Sequence, residues 1–332
     1  MRAIPDPPLR QWDPPNYRVA ETGKIEGADR PAHPTNWGRW GEEDQRGTAN
    51  LMTADRIRAA GTLIRTGKRF SLALPIGGVP TPGYRSDPIH LMDYTVADLT
   101  LGDGGRSGLQ VSDDYVMIPL QATTQLDGLA HVGDGDLLYN GYWSGVVTAR
   151  SGARRLGIHH LADGLVGRAV LLDVARHVGV DHLEESFAIG PDLLDQTVEA
   201  ECVEIGAGDV VLVRTGHIGW WFSLPDGDKG AFSGGEPGLS LRTVAWLAER
   251  DVAMVATDTL AAEVLPPEEG ERPLAFHIGA LRDLGLMIGE MLDLEELAAD
   301  CAADGVYEGF FVAMPMPVVG AVGSPINPVV IK

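Results

Sequence analysis

The sequence predicts an α/β fold in which part of the sheet is parallel. Two continuous apolar runs, 169–174 and 210–213, are typical of strands that are covered on both faces. A helical pattern over 241–248 leads directly into a third apolar run, 252–257, and strand, helix and strand in that order favour parallel pairing. With 332 residues, of which 44% are hydrophobic and 22% charged, the chain can bury a sizeable core.

Shorter elements are predicted before this core. Thr53 is placed to cap a helix over 54–66, where apolar residues recur at helical spacing. Strands are predicted over 69–76, which alternates partly between apolar and polar residues, and over 115–120, which is a short apolar run.

The later elements are predicted from caps and turns. A proline at the first turn favours a helix over 191–200, and Ser240 is the expected N-cap of the helix over 241–248. Asp293 and Glu296 have the spacing of a capping box. The last predicted elements are a helix that reaches Cys301, a strand over 306–314 and a turn over 323–325.

Residues 1–50 are rich in Pro, Asp, Asn and Trp, and we expect them to form an extended arm. Beyond them, no internal repeat, charge block or low-complexity linker marks a domain boundary. We therefore expect residues 51–332 to form one α/β domain that carries the function.

The charge balance excludes one large class of partner. The chain has 26 Lys and Arg against 47 Asp and Glu, which gives a formal net charge of −21. Nucleic acid is not an expected partner, because binding it requires a basic surface. No apolar run of the length needed to cross a bilayer occurs, the N-terminus lacks the apolar core of a signal peptide, and the two cysteines have no ligand-like spacing. We expect a cytoplasmic protein that acts on a small molecule, with no membrane partner.

The densest polar cluster in an apolar setting is the segment 121–131. It contains Gln121, Gln125, Asp127 and His131. If the segment is extended, alternate side chains project to the same side and can converge on one ion or one substrate. The alternative is a turn whose polar side chains hydrogen-bond the backbone, and spacing alone leaves both interpretations open.

Four further residues are candidates because of where they stand. Glu290 lies in an apolar stretch, where an unpaired carboxylate is costly to bury, and His277 precedes it by one short segment. Asp258 and His217 each follow a predicted strand, and the carboxyl ends of strands are where ligands bind in α/β sheets. The alternatives are an arginine partner or a helix cap for Glu290, and a loop-starting role for Asp258.

Several aromatic side chains could line a pocket for a ring-bearing substrate, or could simply fill the core. Trp220 and Trp221, with Phe222 after them, are the best candidates, because three consecutive large aromatics cannot all point into one core. Tyr139 is a further candidate.

Together these segments resemble the cyclase family that includes bacterial kynurenine formamidases and isatin hydrolases. The family signature, His-x-Gly-Thr-His-x-Asp-x-Pro-x-His, aligns with 121–131 over its whole length, and Thr124, Asp127 and His131 match it. The resemblance covers roughly residues 65–332. Its other matching pieces, in the expected order, are 211–216, 237–240, 257–259, His277, 290–294 and 323–325.

The departures from the signature are as informative as the matches. Gln121 and Gln125 stand where the family has two metal-binding histidines, while Thr123 and Leu129 replace a glycine and a proline. An amide oxygen is a neutral, hard ligand, whereas an imidazole suits zinc. With Gln121 and Gln125 as ligands, the site is expected to favour manganese or magnesium, or to bind zinc weakly.

The resemblance implies a fold, a site and a chemistry. The fold is a swivelling β/β/α core with mixed sheets or a barrel and flanking helices, in a homodimer or homotetramer. Asp127, His277 and Glu290 are implied as ligands of a divalent ion, Mn²⁺ or Zn²⁺, and His131 as the general base. The ion polarises a carbonyl and lowers the pKa of its bound water, while an imidazole removes the proton.

The leading hypothesis is therefore a metal-dependent hydrolase that acts on a C–N bond in a small cyclic amide or N-acyl substrate. A second hypothesis is a cyclase, dehydratase or lactone-acting enzyme, with or without a metal. Without an ion, Gln121 and Gln125 would donate hydrogen bonds to a substrate oxygen, and His131 would perform acid–base chemistry with Asp127 or Glu290. A third hypothesis is a binding protein that has kept the fold and lost catalysis.

Overall fold

The computed structural model describes residues 16–32, 34–77, 85–98, 111–225 and 235–332. The first part of the predicted arm, residues 1–15, and His33 within the arm lie outside the described residues. In the rest of the arm, Trp37 is buried, and its Nε1 donates a 2.6 Å hydrogen bond to the carbonyl oxygen of Arg282.

The described part of the chain alternates short strands with short helices. The strands are β1 (Arg69–Ser71), β2 (Ile89–Tyr94), β3 (Asp113–Met117), β4 (Gln125–Asp127), β5 (Val147–Thr148), β6 (Gly152–Ala153), β7 (Leu165–Asp173), β8 (Ala188–Ile189), β9 (Val210–Arg214), β10 (Gly238–Leu239), β11 (Met254–Thr257), β12 (Met287–Glu290), β13 (Glu308–Ala313), β14 (Gly323–Pro325) and β15 (Val329–Ile331). The α-helices are α1 (Ala54–Gly61), α2 (Val174–Val178), α3 (Pro191–Ala200), α4 (His217–Ser223), α5 (Thr243–Glu249), α6 (Ala275–His277) and α7 (Glu295–Asp304). A π-helical segment, Ile278–Leu284, continues α6.

One mixed sheet of nine strands organises the fold, in the order β1-β15-β13-β7-β9-β11-β12-β4-β14. Its central strands β7, β9, β11 and β12 are parallel, and the strands on either side are antiparallel. The sheet curls into a half-barrel with helices around it. This confirms the predicted α/β class and the parallel pairing of the three apolar runs. Among the described helices, none is long and apolar enough to cross a membrane.

The parallel strands are buried because helices cover the sheet. Every residue of β9, β11 and β12 is buried, and they contribute to one large apolar core. The predicted helix over 191–200 is confirmed as α3, which begins with its proline in the first turn. Whether 51–332 is a single functional domain stays a prediction.

Two early elements are shorter than predicted. Thr53 caps α1 as expected, since its Oγ1 accepts a 3.4 Å hydrogen bond from the Arg56 N–H, but the helix ends at Gly61, where glycine disfavours its continuation. The strand predicted over 69–76 pairs only over β1. Directly after β1, the Leu72 N–H donates to the carbonyl oxygen of Pro328. Ala73 forms an isolated β-bridge with Leu292, the second residue after β12.

The strand predicted over 115–120 is present only over 115–117. Its first residues belong to β3, which pairs only with β2 in an exposed hairpin outside the main sheet. Similarly, 323–325 is not a turn but the strand β14 at the edge of the main sheet, where it pairs with β4.

Two predicted helix caps are also wrong. The helix after Ser240 begins only at Thr243, after a turn in which the Ser240 carbonyl accepts the Thr243 N–H. Ser240 Oγ accepts a 3.3 Å hydrogen bond from the Arg242 N–H, which precedes the helix, and its hydroxyl donates to Glu268. The residue before α7 is Leu294, and Asp293 accepts a 3.2 Å hydrogen bond from the Glu295 N–H instead of forming the box with Glu296. The helix itself runs through Cys301 as predicted.

A glycine ends the π-helical segment and leads the chain into β12. Gly285 has φ +61°, which favours glycine, and a Cβ there would lie 2.5 Å from Tyr139 Cε2. Its carbonyl oxygen accepts a 2.8 Å hydrogen bond from the Thr48 N–H. The start of β12, and so the position of Glu290 at its end, depends on this close turn.

Gly285→Ala is expected to destabilise the protein more than Gly305→Ala, which is a matched control. Gly305 ends α7 with φ +72°, and a Cβ there would meet no atom of the described residues within 4 Å, so its substitution costs only the left-handed backbone strain of about 1–2 kcal/mol. In Gly285→Ala, the clash with Tyr139 should lower the free energy of unfolding by about 1–3 kcal/mol in addition to this backbone strain. Urea unfolding of both variants measures the difference, and equal losses of stability would contradict this account.

Candidate active site

Strand pairing brings three candidate residues to one face of the sheet. In the β4–β12 pair, Gln125 stands opposite Glu290, and Asp127 stands opposite Ile288. Residues directly opposite each other share a face, and so do alternate residues of one strand. Gln125, Asp127 and Glu290 therefore project together, and the extended interpretation of this part of 121–131 is correct.

His277 reaches this face from the end of α6 and completes a buried cluster. Ligand atoms of Asp127, His277 and Glu290 all lie within 4.8 Å of one another. His277 Nε2 is 3.0 Å from Glu290 Oε1 and 3.7 Å from Asp127 Oδ2. Asp127 is 0% exposed, and Glu290 and His277 are each 3% exposed. The predicted grouping of these three residues is thus what the structure shows.

The cluster leaves buried oxygens without hydrogen bonds. Within the described ranges, neither Oδ1 nor Oδ2 of Asp127 has a hydrogen-bond partner, and nor does Oε1 of Gln125. Gln125 is fixed in this orientation because its Nε2 donates a 2.6 Å hydrogen bond to Glu290 Oε2. Buried polar groups are costly unless they are paired. These oxygens, with His277 and Glu290, form a donor set that fits a divalent cation.

The pKa shifts show how strongly the groups act on each other. Burial disfavours ionised Asp127, but the His131 and His277 imidazoles outweigh it and hold the pKa of Asp127 below its usual range. Burial and the charge of Asp127 raise the pKa of Glu290. Burial opposes a charged His277, yet its contacts with Asp127, Glu263 and Glu290 raise its pKa well above the usual range. The carboxylates therefore create a site that favours positive charge.

His131 lies at the edge of the cluster. Its Nε2 is 3.9 Å from Asp127 Oδ1, and 24% of its side chain is exposed. Its backbone N–H closes a turn by donating to Gly128 O over 2.9 Å. Unlike the three buried residues, His131 can meet a molecule that arrives from solvent.

Gln121 presents a donor beside the cluster. Its Nε2 is buried and has no hydrogen-bond partner in the described part of the chain. The same atom would lie 2.5 Å from a Cβ on Gly323, which stands opposite Asp127 in the β14–β4 pair. The missing side chain at 323 makes room for this amide on the face that carries Asp127. A buried amide N–H of this kind can donate to an oxygen of a ligand.

The loop over 258–265, which we call the site loop, carries Glu263, a carboxylate that the sequence interpretation missed. The Ala262 N–H donates to Glu290 Oε1 over 3.1 Å. Glu263 accepts from the Phe276 N–H over 3.0 Å and lies 2.7 Å from His277 Nδ1. Glu263 stands in an apolar run, as Glu290 does, and that signal could have identified it.

Glu236 holds the site loop from the other side. Its carboxylate accepts hydrogen bonds from the Leu260 N–H, over 2.7 Å, and the Ala261 N–H, over 2.6 Å. Burial raises its pKa well above the usual range. Nothing in the sequence around Glu236 indicates this role, because its partners are backbone groups more than twenty positions away.

Asp258 directs both carboxylate oxygens toward the protein. Oδ1 accepts from the Thr215 N–H and hydroxyl over 2.9 and 2.7 Å, and Oδ2 accepts from the Gly216 N–H over 2.7 Å. The carboxylate therefore ties the end of β11 to the turn after β9. Burial raises the pKa of Asp258 to about 6.

The aromatic candidates divide between two places. Trp221 is buried in a small apolar cluster with Leu74, Ile218 and Met291, the residue after Glu290, and Trp220 packs against it. The buried His217 ring lies 5.0 Å from the Trp220 ring. This cluster adjoins the site.

Tyr139 is fully buried elsewhere in the core. Its hydroxyl donates a 3.0 Å hydrogen bond to Asp44 Oδ2, and its ring packs against Gly285. Those contacts do not include Asp127, His277 or Glu290. Substrate-binding roles for Tyr139, Trp220, Trp221, His217 and Asp258 stay predictions.

A curled mixed sheet with a buried Asp–His–Glu cluster defines an α/β protein with a candidate metal centre. The chain belongs to the cyclase family: residues 39–264 match the family described as Putative cyclase. That range includes 121–131, while His277 and Glu290 lie beyond it. No curated protein matches the chain.

Solved structures extend the comparison. A structure described as a novel cyclase is 40% identical and has a TM-score of 0.84, over 90% of this chain and 99% of that one. Isatin hydrolase A from Ralstonia solanacearum is 20% identical with a TM-score of 0.57, over 83% of this chain and 96% of that one. Isatin hydrolase A from Labrenzia aggregata, bound to benzyl benzoate, is 17% identical with a TM-score of 0.56, over 80% and 94%. The two isatin hydrolases share the fold with this chain.

The raised pKa of Asp258 predicts a pH-dependent stability. The folded protein binds this proton more tightly than the unfolded chain, whose Asp titrates near 3.8. As the pH rises from about 3.8 to about 6, the free energy of unfolding of the wild type should therefore fall relative to that of Asp258→Asn, by up to about 3 kcal/mol. Above that pH the difference between the two proteins should stay constant. Urea unfolding of both proteins between about pH 4 and pH 7 measures the difference. A difference in unfolding free energy that is constant across this range would contradict the prediction. Asp55→Asn in α1 is the control for losing an exposed carboxylate.

Proposed function

We propose that this protein is a divalent-metal-dependent hydrolase that cleaves a C–N bond in a small cyclic amide or N-acyl compound. The observation that carries the proposal is the buried Asp127 beside His277 and Glu290, whose two carboxylate oxygens accept no hydrogen bond from the described residues. Membership of the cyclase family supports an enzyme of this kind. The fold is also shared with isatin hydrolases, whose named substrate, isatin, contains a cyclic amide.

Asp127, His277 and Glu290 would hold the ion, with Gln125 Oε1 as a further ligand. When bound, a divalent ion would polarise the scissile carbonyl and make a water molecule more acidic. The available ligand atoms are carboxylate and amide oxygens with one imidazole nitrogen, and such oxygen-rich sets suit Mn²⁺ and Mg²⁺ better than Zn²⁺. We therefore propose Mn²⁺ as the preferred ion.

His131 would be the general base. Its imidazole is partly exposed at the edge of the cluster, and its Nε2 lies 3.9 Å from Asp127 Oδ1, so it can reach a water molecule or substrate at the cluster. It would accept the proton from the attacking water and return it to the leaving nitrogen. Gln121 Nε2, which has no hydrogen-bond partner among the described residues and lies beside β14, would hydrogen-bond to an oxygen of the substrate.

The identity of Gln125 should set the choice of metal. Gln125→His replaces an amide oxygen with an imidazole nitrogen, so the ratio of Zn²⁺ to Mn²⁺ affinity should rise by at least about tenfold. Titration calorimetry of metal-stripped protein measures both affinities. Asp127→Asn should remove binding of both ions, and Gln196→His, on the exposed face of α3, is the control for adding a histidine. An unchanged ratio in Gln125→His would contradict Gln125 as a ligand.

His131→Ala should reduce kcat by at least about 100-fold on any cyclic amide or N-formyl compound that the wild type turns over. Its Mn²⁺ affinity should stay within about twofold of the wild type, because no ligand is lost. His177→Ala in α2 is the control for losing a histidine elsewhere. Unchanged turnover would contradict the assignment of the base. In ¹⁸O-labelled water, hydrolysis labels the product, whereas an isomerised product without label would favour the cyclase alternative.

A further inference from the structure

We propose that Glu263 is the positioning residue that fixes the ring orientation and the protonated nitrogen of His277, and thereby sets the affinity of the site for its divalent ion. This inference rests on the proposed metal site. It concerns a residue of the site loop that does not itself lie among the ligands.

Glu263 binds two consecutive residues with its two oxygens. Oε1 lies 2.7 Å from His277 Nδ1, and Oε2 accepts the 3.0 Å hydrogen bond from the Phe276 N–H. The carboxylate is 5% exposed. One buried group therefore fixes both the backbone at the end of α6 and the imidazole that leaves it. Rotation of the ring would break the bond to Oε1 and leave a buried carboxylate oxygen without this partner.

This contact determines which ring nitrogen faces the ion. A carboxylate can only accept, so Nδ1 must carry its proton toward Glu263. The other nitrogen, Nε2, lies 3.0 Å from Glu290 Oε1 and 3.7 Å from Asp127 Oδ2, so a proton on it is held by these carboxylates. A bound ion would take the place of that proton on the Nε2 lone pair, while Nδ1 keeps its own toward Glu263. A carboxylate in this position also makes the imidazole a better ligand, as it does in other metal sites.

The backbone of Glu263 is itself held in place. The Leu239 N–H donates to Ala262 O over 2.8 Å, and the Val264 N–H donates to Leu239 O over 3.3 Å. Between these bonds, a Cβ on Gly238 would collide with the backbone carbonyl of Glu263. Glycine at 238 thus lets β10 approach closely enough to fix Glu263 on both sides. Such support is expected of a residue that positions a ligand and is not required of a carboxylate that only caps a short helix.

Two substitutions test the proposal. Glu263→Ala removes both acceptors, and Glu263→Gln keeps the side-chain volume but leaves one of the two donors facing an amide NH₂. Both should weaken Mn²⁺ binding by about 10–100-fold, measured by calorimetry on metal-stripped protein. In the metal-free protein, the downfield Nδ1–H proton resonance of His277 should disappear in Glu263→Ala and move upfield in Glu263→Gln. If Glu263 acted only by stabilising the fold, its substitution would lower the melting temperature and leave this resonance in place. Cooperative thermal unfolding checks that both variants are folded.

Glu236→Gln is the matched control. Glu236 is also buried and also binds the site loop, but its partners are backbone N–H groups and it does not contact His277. Its Mn²⁺ affinity should fall by much less than that of Glu263→Gln, because the His277 imidazole keeps its bond to Glu263. A loss as large as that in Glu263→Gln would assign the effect to the loop as a whole and would overturn the proposal. Mn²⁺ binding that is unchanged in both Glu263 variants would also overturn the proposal.

The two proposals can fail separately. If wild-type protein binds neither Mn²⁺, Mg²⁺ nor Zn²⁺, the proposed function fails, while the His277 resonance still decides whether Glu263 positions the ring. If the wild type binds Mn²⁺ and the resonance is the same in all variants, the metal site stands and the role of Glu263 is refuted.

Discussion

The site depends on one electrostatic constraint, which is a fully buried carboxylate whose oxygens have no hydrogen-bond partner within the described ranges. Asp127 lies in the short strand β4, between β12 and β14, where its side chain is not exposed to bulk solvent. Burial of such a group is costly unless positive charge is close. The imidazoles of His131 and His277 supply part of it, since they hold the pKa of Asp127 low. A divalent cation would complete the compensation, and the second carboxylate, Glu290, strengthens that requirement.

The fold satisfies this constraint by joining distant parts of the chain. Asp127 and Glu290 meet because β4 pairs antiparallel with β12, at the end of an otherwise parallel set of strands. The site loop then binds the cluster from the side, through Ala262 to Glu290 and through Glu263 to His277. Glu236 and β10 hold that loop in turn. Each layer is positioned by buried hydrogen bonds to the next, which is what a metal site requires in order to keep its geometry.

Much of this arrangement was predictable from local patterns. The continuous apolar runs identified β7, β9 and β11, since a strand covered on both faces needs apolar residues at every position. Polar residues within apolar surroundings identified Asp127 and Glu290, because such residues rarely stay buried without a partner or a function. The match of 121–131 to the family signature indicated which of them belong together.

What the sequence could not supply was the choice of partners across the fold. The side chain of Ser240 had the chemistry of a helix cap and its Oγ accepts the Arg242 N–H, yet the helix begins only at Thr243. The polar residues of β2 and β3 did not reveal a hairpin outside the main sheet. Glu236 and Glu263 were missed because their roles depend on backbone N–H groups and a ring nitrogen that only the tertiary fold brings close. Local propensity is a weak guide wherever a tertiary hydrogen bond competes with it.

The most direct test of the central claim is anomalous X-ray diffraction from crystals of the protein grown with Mn²⁺, recorded on both sides of the manganese absorption edge. The account predicts one anomalous peak per chain, within bonding distance of Asp127, Glu290, His277 Nε2 and Gln125 Oε1. An ordered cluster in which the Asp127 oxygens bind only water, with no anomalous peak between these residues, would contradict it.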